Sequence, residues 1–172
     1  NAELLRTARI NFGQWVIGNS LRELTQGFVK FLNRSYEALL IIKNHRATIK
    51  MADFNKEMGE AVNEPRLLGK LERIETAFGL TAKFKDCFPS ISLARDSLSF
   101  NQGVVRDRDC NTEGTLKLSW FGMKSERREK EFKIGETIDL STYELSEICW
   151  TFAKQSDELI EQMVLTATFK GM

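Results

Sequence analysis

The sequence predicts a mainly helical fold, a four-helix up-down bundle with a small β-hairpin inserted before the last helix. Mostly apolar residues recur at spacings of three and four over two long segments and two shorter ones, which is typical of packed helices. At about 114–135 the pattern changes to an alternation of polar and apolar residues, which is typical of strands. The chain of 172 residues, 42% hydrophobic and 28% charged, is predicted to form one domain over residues 1–172.

The first long helix is predicted by a stripe of mostly apolar residues. The stripe consists of Leu21, Leu24, Phe28, Phe31, Ser35, Leu39 and Ile42. Phe12 and Val16 extend this helix upstream, with a break allowed near Asn19-Ser20, and glycines on its packed face would let another helix approach closely. Residues 46–64 are polar and poorly periodic, so we expect a loop there that holds at most one short helix.

Two shorter helices are predicted next. Pro65 suits the first turn of one helix and Gly79 suits its C-terminal cap. The stripe between them consists of Leu67, Leu68, Leu71, Ile74 and Phe78. The other helix fits Ser90 to Ser99 and ends before Asn101-Gln102-Gly103. Its predicted inward residues are Ile91, Ala94 and Leu98.

A hairpin and a long helix are predicted to complete the chain. Thr115 to Trp120 and Glu131 to Gly135 alternate polar and apolar residues, and the charged run Lys124 to Lys130 is predicted to connect these two strands. Ser141, with Glu144 three residues later, is typical of a capping box at the start of a helix. The stripe of that last helix consists of Leu145, Cys149, Phe152, Ser156, Leu159 and Met163.

The composition argues against several classes of function. A net charge of +1 gives no general attraction to nucleic acids or membranes, so an anionic partner would need a local patch. The sequence shows neither a long apolar membrane segment nor a signal peptide, and we expect a soluble, cytoplasmic protein. Three scattered cysteines and the single histidine, His45, predict neither a disulfide framework nor a metal site, and no cofactor is predicted.

A short motif lies in the predicted helix that ends near residue 100. Ala94-Arg95-Asp96 is followed by Phe100 and then by Gly103-Val104-Val105. This pattern resembles the signature helix of HEPN domains (higher eukaryotes and prokaryotes nucleotide-binding). In that family an Arg and a polar neighbour precede a His that stands four to six positions after the Arg. Here Asp96 replaces the usual Asn of the bacterial members, and Phe100 stands at the place of the His.

Other parts of the chain are similar to members of the same family. Phe12-Gly13-Gln14 followed by Ser20 to Leu24 resembles their opening helix, and Leu116 to Trp120 resembles a strand insertion before their last helix. The resemblance implies a bundle of HEPN type, a homodimer that forms through the motif helix, and metal-independent cleavage of RNA. In that reaction Arg95 would bind the phosphate, while a histidine would assist proton transfer from the attacking 2′-hydroxyl.

The sequence departs from the family at the catalytic position, because Phe100 can neither titrate nor form a conventional hydrogen bond. We therefore predict a non-catalytic HEPN-like protein that binds RNA, a nucleotide or a protein partner. The resemblance places such proteins in toxin–antitoxin or antiviral systems. One alternative is an active ribonuclease that uses Arg95 with Asp96 or Asn101, or a histidine lent by a partner chain. The other is a helical scaffold that has no role with nucleic acids.

Several predicted binding residues also have structural interpretations. The predicted binding residues are Arg95, Asn101, Gln102, Arg106 and Arg108. Arg95 and Asp96 suit an ion pair as well as a phosphate site, and the alternating charges of residues 106–109 favour a solvated loop. The tryptophans are candidates for stacking on bases, although packing suits Trp120 and Trp150 better.

Overall fold

The computed structural model describes residues 2–44 and 50–170. Its elements are α1 (Ala2–Asn44), α2 (Met51–Val62), α3 (Leu67–Phe78), α4 (Phe88–Phe100), β1 (Thr115–Phe121), β2 (Arg127–Lys133) and α5 (Thr142–Lys170), with 3-10 turns at Lys85–Cys87 and Asp107–Asp109. The predicted mainly helical fold, with an antiparallel hairpin before the last helix, is confirmed. Within the two described ranges, no helix has both the length and the apolar character needed to cross a membrane.

Internal contacts divide the chain into two compact units. The hairpin unit comprises Asn1–Gln26 and Cys87–Phe152, and the α2–α3 unit comprises Gly27–Asp86 and Ala153–Met172. The long helices α1 and α5 each contribute residues to both units. A single domain over residues 1–172 stays a prediction.

The core of the hairpin unit is built from α1, α4, both strands and α5. Helix α4 buries Ile91, Ala94 and Leu98, as its predicted stripe requires. The other large buried side chains include Leu21, Phe88, Leu116, Leu118, Trp120, Phe132, Ile138, Ile148 and Phe152. Cys149 was predicted to face the core but is exposed, because the buried face of α5 here runs through Ile148 and Phe152 instead.

A glycine lets α1 and α4 approach closely inside the hairpin unit. A Cβ atom added to Gly18 would lie 3.1 Å from the Cβ of Leu98. The helix break allowed near Asn19-Ser20 does not occur. Instead the side chains of Asn19 and Ser20 donate hydrogen bonds of 2.8 Å to carbonyl oxygens one turn earlier in an unbroken helix.

The hairpin begins its second strand earlier than the sequence predicted. Thr115 pairs with Lys133 and Phe121 with Arg127, so the connection is residues 122–126 rather than Lys124 to Lys130. Two acidic residues of β2, Glu129 and Glu131, form ion pairs with Lys117 across the strands. For example, Lys117 Nζ lies 2.7 Å from an Oε atom of Glu129.

In the α2–α3 unit, a full helix occupies the segment that was predicted to be mainly loop. Ala61 is the buried residue of α2, so this helix has no large fully buried side chain. The buried Lys70 of α3 holds the end of α2: its Nζ donates to the carbonyl oxygens of Ala61 at 2.8 Å and Val62 at 2.9 Å, and to Asn33 Oδ1 at 2.9 Å. Burial lowers the pKa of Lys70, and these three acceptors compensate for the lost water.

Two of the predicted helix ends are confirmed and a third is shifted. Gly79 caps α3 in the left-handed conformation, with φ 71°. The Ser141 hydroxyl accepts from the Glu144 backbone N–H at 3.1 Å, and the Ser141 N–H donates to Glu144 Oε2 at 2.7 Å, which completes the capping box. Pro65 lies just before the Arg66 N-cap of α3 rather than within its first turn.

We expect Gly13→Ala to raise the free energy of unfolding by about 0.5–1 kcal/mol, because alanine favours helix and a new methyl group would meet nothing within 4 Å. Gly18→Ala should give a clearly smaller gain or a loss, since its methyl group would press on Leu98. Urea unfolding of both variants measures the difference. Equal gains would show that α1 and α4 do not depend on the close approach at Gly18.

Candidate functional site

The first predicted pair, Arg95 and Asp96, forms an ion pair on α4. Arg95 Nε and Nη2 donate to Asp96 Oδ1 at 2.9 and 2.6 Å. The Arg95 side chain is about one-quarter exposed and that of Asp96 slightly less than half. This contact agrees with the structural interpretation of the pair, and it leaves the guanidinium within reach of solvent.

The second predicted group, Asn101 with Arg108, lies where α4 ends. Asn101 is the C-cap residue of α4 and is only 5% exposed. Its Oδ1 accepts from Arg108 Nη2 at 3.2 Å, whereas its buried Nδ2 has no hydrogen-bond partner. Arg106 is exposed in the same loop. Asn101 and Arg108 therefore contact each other, whereas Arg95 contacts Asp96 instead of this pair.

A buried carboxylate that the sequence did not single out fixes this loop. Asp109 Oδ2 accepts from the Ser97 hydroxyl of α4 at 2.8 Å and from the Arg106 backbone N–H at 2.9 Å. Its Oδ1 lies 3.8 Å from Arg108 Nε. Asp109 is therefore the residue that ties the loop to the motif helix, and the predicted solvated loop has one buried anchor.

An open cleft of about 490 Å³ lies between α1 and the C-terminal end of α4 in the hairpin unit. It is lined by Asn11, Gln14, Trp15, Leu98, Ser99, Phe100 and Gln102. Trp15 is 62% exposed and Phe100 is 73% exposed. The ring of Phe12 stacks on Trp15 with centroids 5.8 Å apart, which extends the exposed aromatic surface along α1. We call this the aromatic–amide cleft.

Backbone geometry after α4 turns Gln102 towards this cleft. The N–H groups of Asn101 and Gly103 both donate to the carbonyl oxygen of Ser97 at 2.9 Å, which closes the helix end. Gln102 and Gly103 then adopt left-handed φ values of 52° and 76°. The left-handed region is unfavourable for a residue with a Cβ atom, so the backbone is strained at Gln102.

Arg95 lies on the same face of α4 as the lining residue Ser99, because the two are one turn apart in the helix. The cleft lining itself carries no charged side chain. Its groups are two aromatic rings, the amides of Asn11, Gln14 and Gln102, and one hydroxyl. Such a surface can stack on a flat ring system and exchange hydrogen bonds with its edge, with a cation placed one helical turn away.

Sequence reasoning found some of these residues and missed others. Gln102 and Trp15 were candidates, and Phe100 was named only as the replacement of a histidine. Asn11, Gln14 and Asp109 were missed, because their roles depend on contacts between α1, α4 and the following loop. An acid among alternating charges gives no local signal of burial, so Asp109 could not have been distinguished from its neighbours.

No group of three or more His, Cys, Asp or Glu side chains that could hold a metal ion occurs among the described residues. His45 lies outside them. Comparison of the chain with protein-family models, with curated proteins and with solved structures gave no match.

We expect Gln102→Gly to raise the free energy of unfolding by about 0.5–1 kcal/mol, because glycine adopts a φ of 52° without strain. Gln102→Ala is the matched control, since alanine removes the amide but keeps the Cβ atom that causes the strain. It should give no gain. Equal stability of the two variants in urea unfolding would contradict the strained conformation of Gln102.

Proposed function

We propose that this chain is a non-catalytic HEPN-like protein that binds single-stranded RNA in the aromatic–amide cleft. The observation that carries the proposal is the pair of exposed rings, Trp15 and Phe100, on two helices that line one cleft. Exposed aromatic rings beside polar groups are the usual surface for unstacked bases. We also propose that the helices form a four-helix up-down bundle of HEPN type.

The size and the polar groups of the cleft suit a nucleobase. A volume of about 490 Å³ lies within the range of small-ligand sites, about 300–1,000 Å³. The amides of Asn11, Gln14 and Gln102 each offer donors and an acceptor, which match the mixed edge of a base. Stacking on an aromatic side chain contributes about 1–3 kcal/mol per base, so two rings supply a measurable affinity.

The charges near the cleft suit a few phosphate contacts rather than many. Arg95 would exchange its contact with Asp96 for a phosphate oxygen, and Arg106 and Arg108 are exposed in the following loop. A net charge of +1 gives the chain no general attraction to a polyanion. We therefore expect a shallow salt dependence, with about two or three phosphate contacts contributing to the slope.

The absence of catalysis in this proposal is supported by the chemistry at the motif. Phe100 occupies the position of the expected histidine and cannot transfer a proton. The alternative ribonuclease would use Asn101, but that side chain is 5% exposed and its oxygen is occupied by Arg108. Asp96 Oδ1 is occupied, because it accepts two hydrogen bonds from Arg95.

We also propose that the chain forms a homodimer through α4. Its proposed biological role is in a toxin–antitoxin or antiviral system. Support for the dimer comes from the exposed apolar side chains of Leu93 and Phe100 on α4. The biological context rests on the resemblance of the motif alone. A dimer that covered Phe100 would compete with RNA for this side chain. RNA binding and dimerisation are therefore measured in the same samples.

The test is fluorescence anisotropy of a labelled single-stranded RNA of about ten nucleotides. We expect Trp15→Ala and Phe100→Ala each to weaken binding about 5- to 100-fold, in line with the loss of one stacked base. Tyr143→Ala is the matched control, because Tyr143 is an exposed aromatic residue of the same unit outside this cleft, and its loss should leave the affinity unchanged.

Two further measurements separate the alternatives. Absence of RNA binding at low salt would exclude the proposal and favour a helical scaffold without a role in nucleic-acid binding. Light scattering on the same samples measures whether the chain dimerises. In an assay with chelator, RNA cleavage by the wild type that disappears in Arg95→Ala would show the active ribonuclease instead.

A further inference from the structure

A second cleft lies in the hairpin unit, between the hairpin and the start of α5, and it shares no lining residue with the aromatic–amide cleft. It has a volume of about 520 Å³. It is lined by Trp120, Arg128, Glu129, Lys130, Ser141, Tyr143, Glu144 and Glu147. We call it the Glu147 cleft, because that side chain distinguishes it.

Glu147 is a buried carboxylate with one oxygen left over. The residue is 2% exposed, and its Oε2 accepts from Trp120 Nε1 at 3.0 Å. Its Oε1 is also buried and has no hydrogen-bond partner. Hydrogen bonding with the Glu147 carboxylate, followed by its charge, raises the pKa of Tyr143, so the Tyr143 hydroxyl lies beside this carboxylate.

The other carboxylates of the cleft already have short contacts with cations. Lys130 Nζ donates to Glu144 Oε1 at 3.0 Å and to the Asp139 carbonyl at 2.6 Å. Glu129 accepts from Lys117, as described for the hairpin. Arg128 Nη2 forms a longer ion pair of 3.8 Å with Glu147 Oε1, and its shorter contact of 2.7 Å is with Glu126.

The hydrogen bond from Trp120 does not by itself require a carboxylate at position 147. A glutamine side chain would accept from the indole N–H as well, without the cost of burying an ionised group. The cleft therefore combines a buried carboxylate oxygen that accepts no hydrogen bond with an exposed phenol ring and an indole. These groups suit an ammonium ion.

We propose that the Glu147 cleft binds an alkylammonium ion, whose –NH₃⁺ group donates to Glu147 Oε1 while its chain lies along Tyr143. Small amines and the lysine side chain of a partner protein share this chemistry. Arg128 competes with the ligand for the same carboxylate, so its removal strengthens binding. The site does not depend on RNA binding at the aromatic–amide cleft.

The test is a titration of the ¹⁵N-labelled protein with n-butylammonium chloride, observed at the indole N–H signal of Trp120. That signal is identified by its loss in Trp120→Phe, and it reports on Glu147 because the two side chains are hydrogen-bonded. We expect a saturable shift with a Kd on the order of 1 mM, as suits a ligand of five heavy atoms. Butan-1-ol, of similar shape and without charge, should cause no saturable shift.

Matched variants test the assignment to Glu147. Glu147→Gln should weaken binding at least tenfold, whereas Glu129→Gln, which removes an equal charge from the same cleft, should change it less than twofold. Arg128→Gln should tighten binding about three- to tenfold. Nα-acetyl-lysine methylamide, tested beside the free amine, distinguishes a lysine side chain from a small ligand by which of the two binds more tightly.

Three results would overturn the proposal: no saturable shift in the wild type, an equal shift with butan-1-ol, or unchanged affinity in Glu147→Gln. The wild-type titrations decide the matter even where Glu147→Gln does not fold. Loss of RNA binding in Trp15→Ala with intact amine binding would show that the two sites are independent.

Discussion

The buried carboxylate of Asp109 is the interaction on which the arrangement around the motif helix depends. It accepts from Ser97 within α4 and from the backbone of Arg106, and so it fixes the path of the chain after the helix ends. Hydrogen bonds to an ionised group contribute about 1.5–3 kcal/mol each, enough to hold a polar loop against the unit. Through this anchor the side chain of Arg108 reaches Asn101, and Val105 continues into the core.

The same unit presents two clefts of opposite chemistry. The aromatic–amide cleft offers rings and neutral polar groups, with arginines outside its lining, and this combination favours a base with a phosphate nearby. The Glu147 cleft offers a buried carboxylate with one oxygen that accepts no hydrogen bond, and this favours a cation. The two clefts are similar in volume. Their proposed ligands differ because one cleft exposes aromatic rings and the other contains a buried carboxylate.

Apolar periodicity predicted the helices that bury a clear stripe, and local capping chemistry predicted their ends at Gly79 and Ser141. It failed for α2, whose buried residue is a lone alanine and whose end is held by Lys70 from another helix. The start of the second strand of the hairpin was also missed. Pairing of charged side chains across strands lets a highly charged segment form β2, and that effect is not visible within the strand itself.

The candidate site was predictable only in part, for a similar reason. The motif placed Arg95, Asn101 and Gln102 near one another along the chain, but it gave no indication that Asn101 would be buried. Trp15 and Phe100 lie far apart in sequence, and only the close packing of α1 on α4 gives them a common cleft. Glu147 had one overlooked signal, since it lies one turn before the buried Thr151 on the inner face of α5.

Stacking of RNA bases in the aromatic–amide cleft can be observed directly by photochemical cross-linking. A short single-stranded RNA with 4-thiouridine at successive positions is irradiated with the protein, and the attached peptides are identified by mass spectrometry. We expect attachment at Trp15 or at Phe100 to Gln102. Attachment confined to the hairpin or to the α2–α3 unit, or attachment that persists unchanged in the double variant Trp15→Ala with Phe100→Ala, would contradict it.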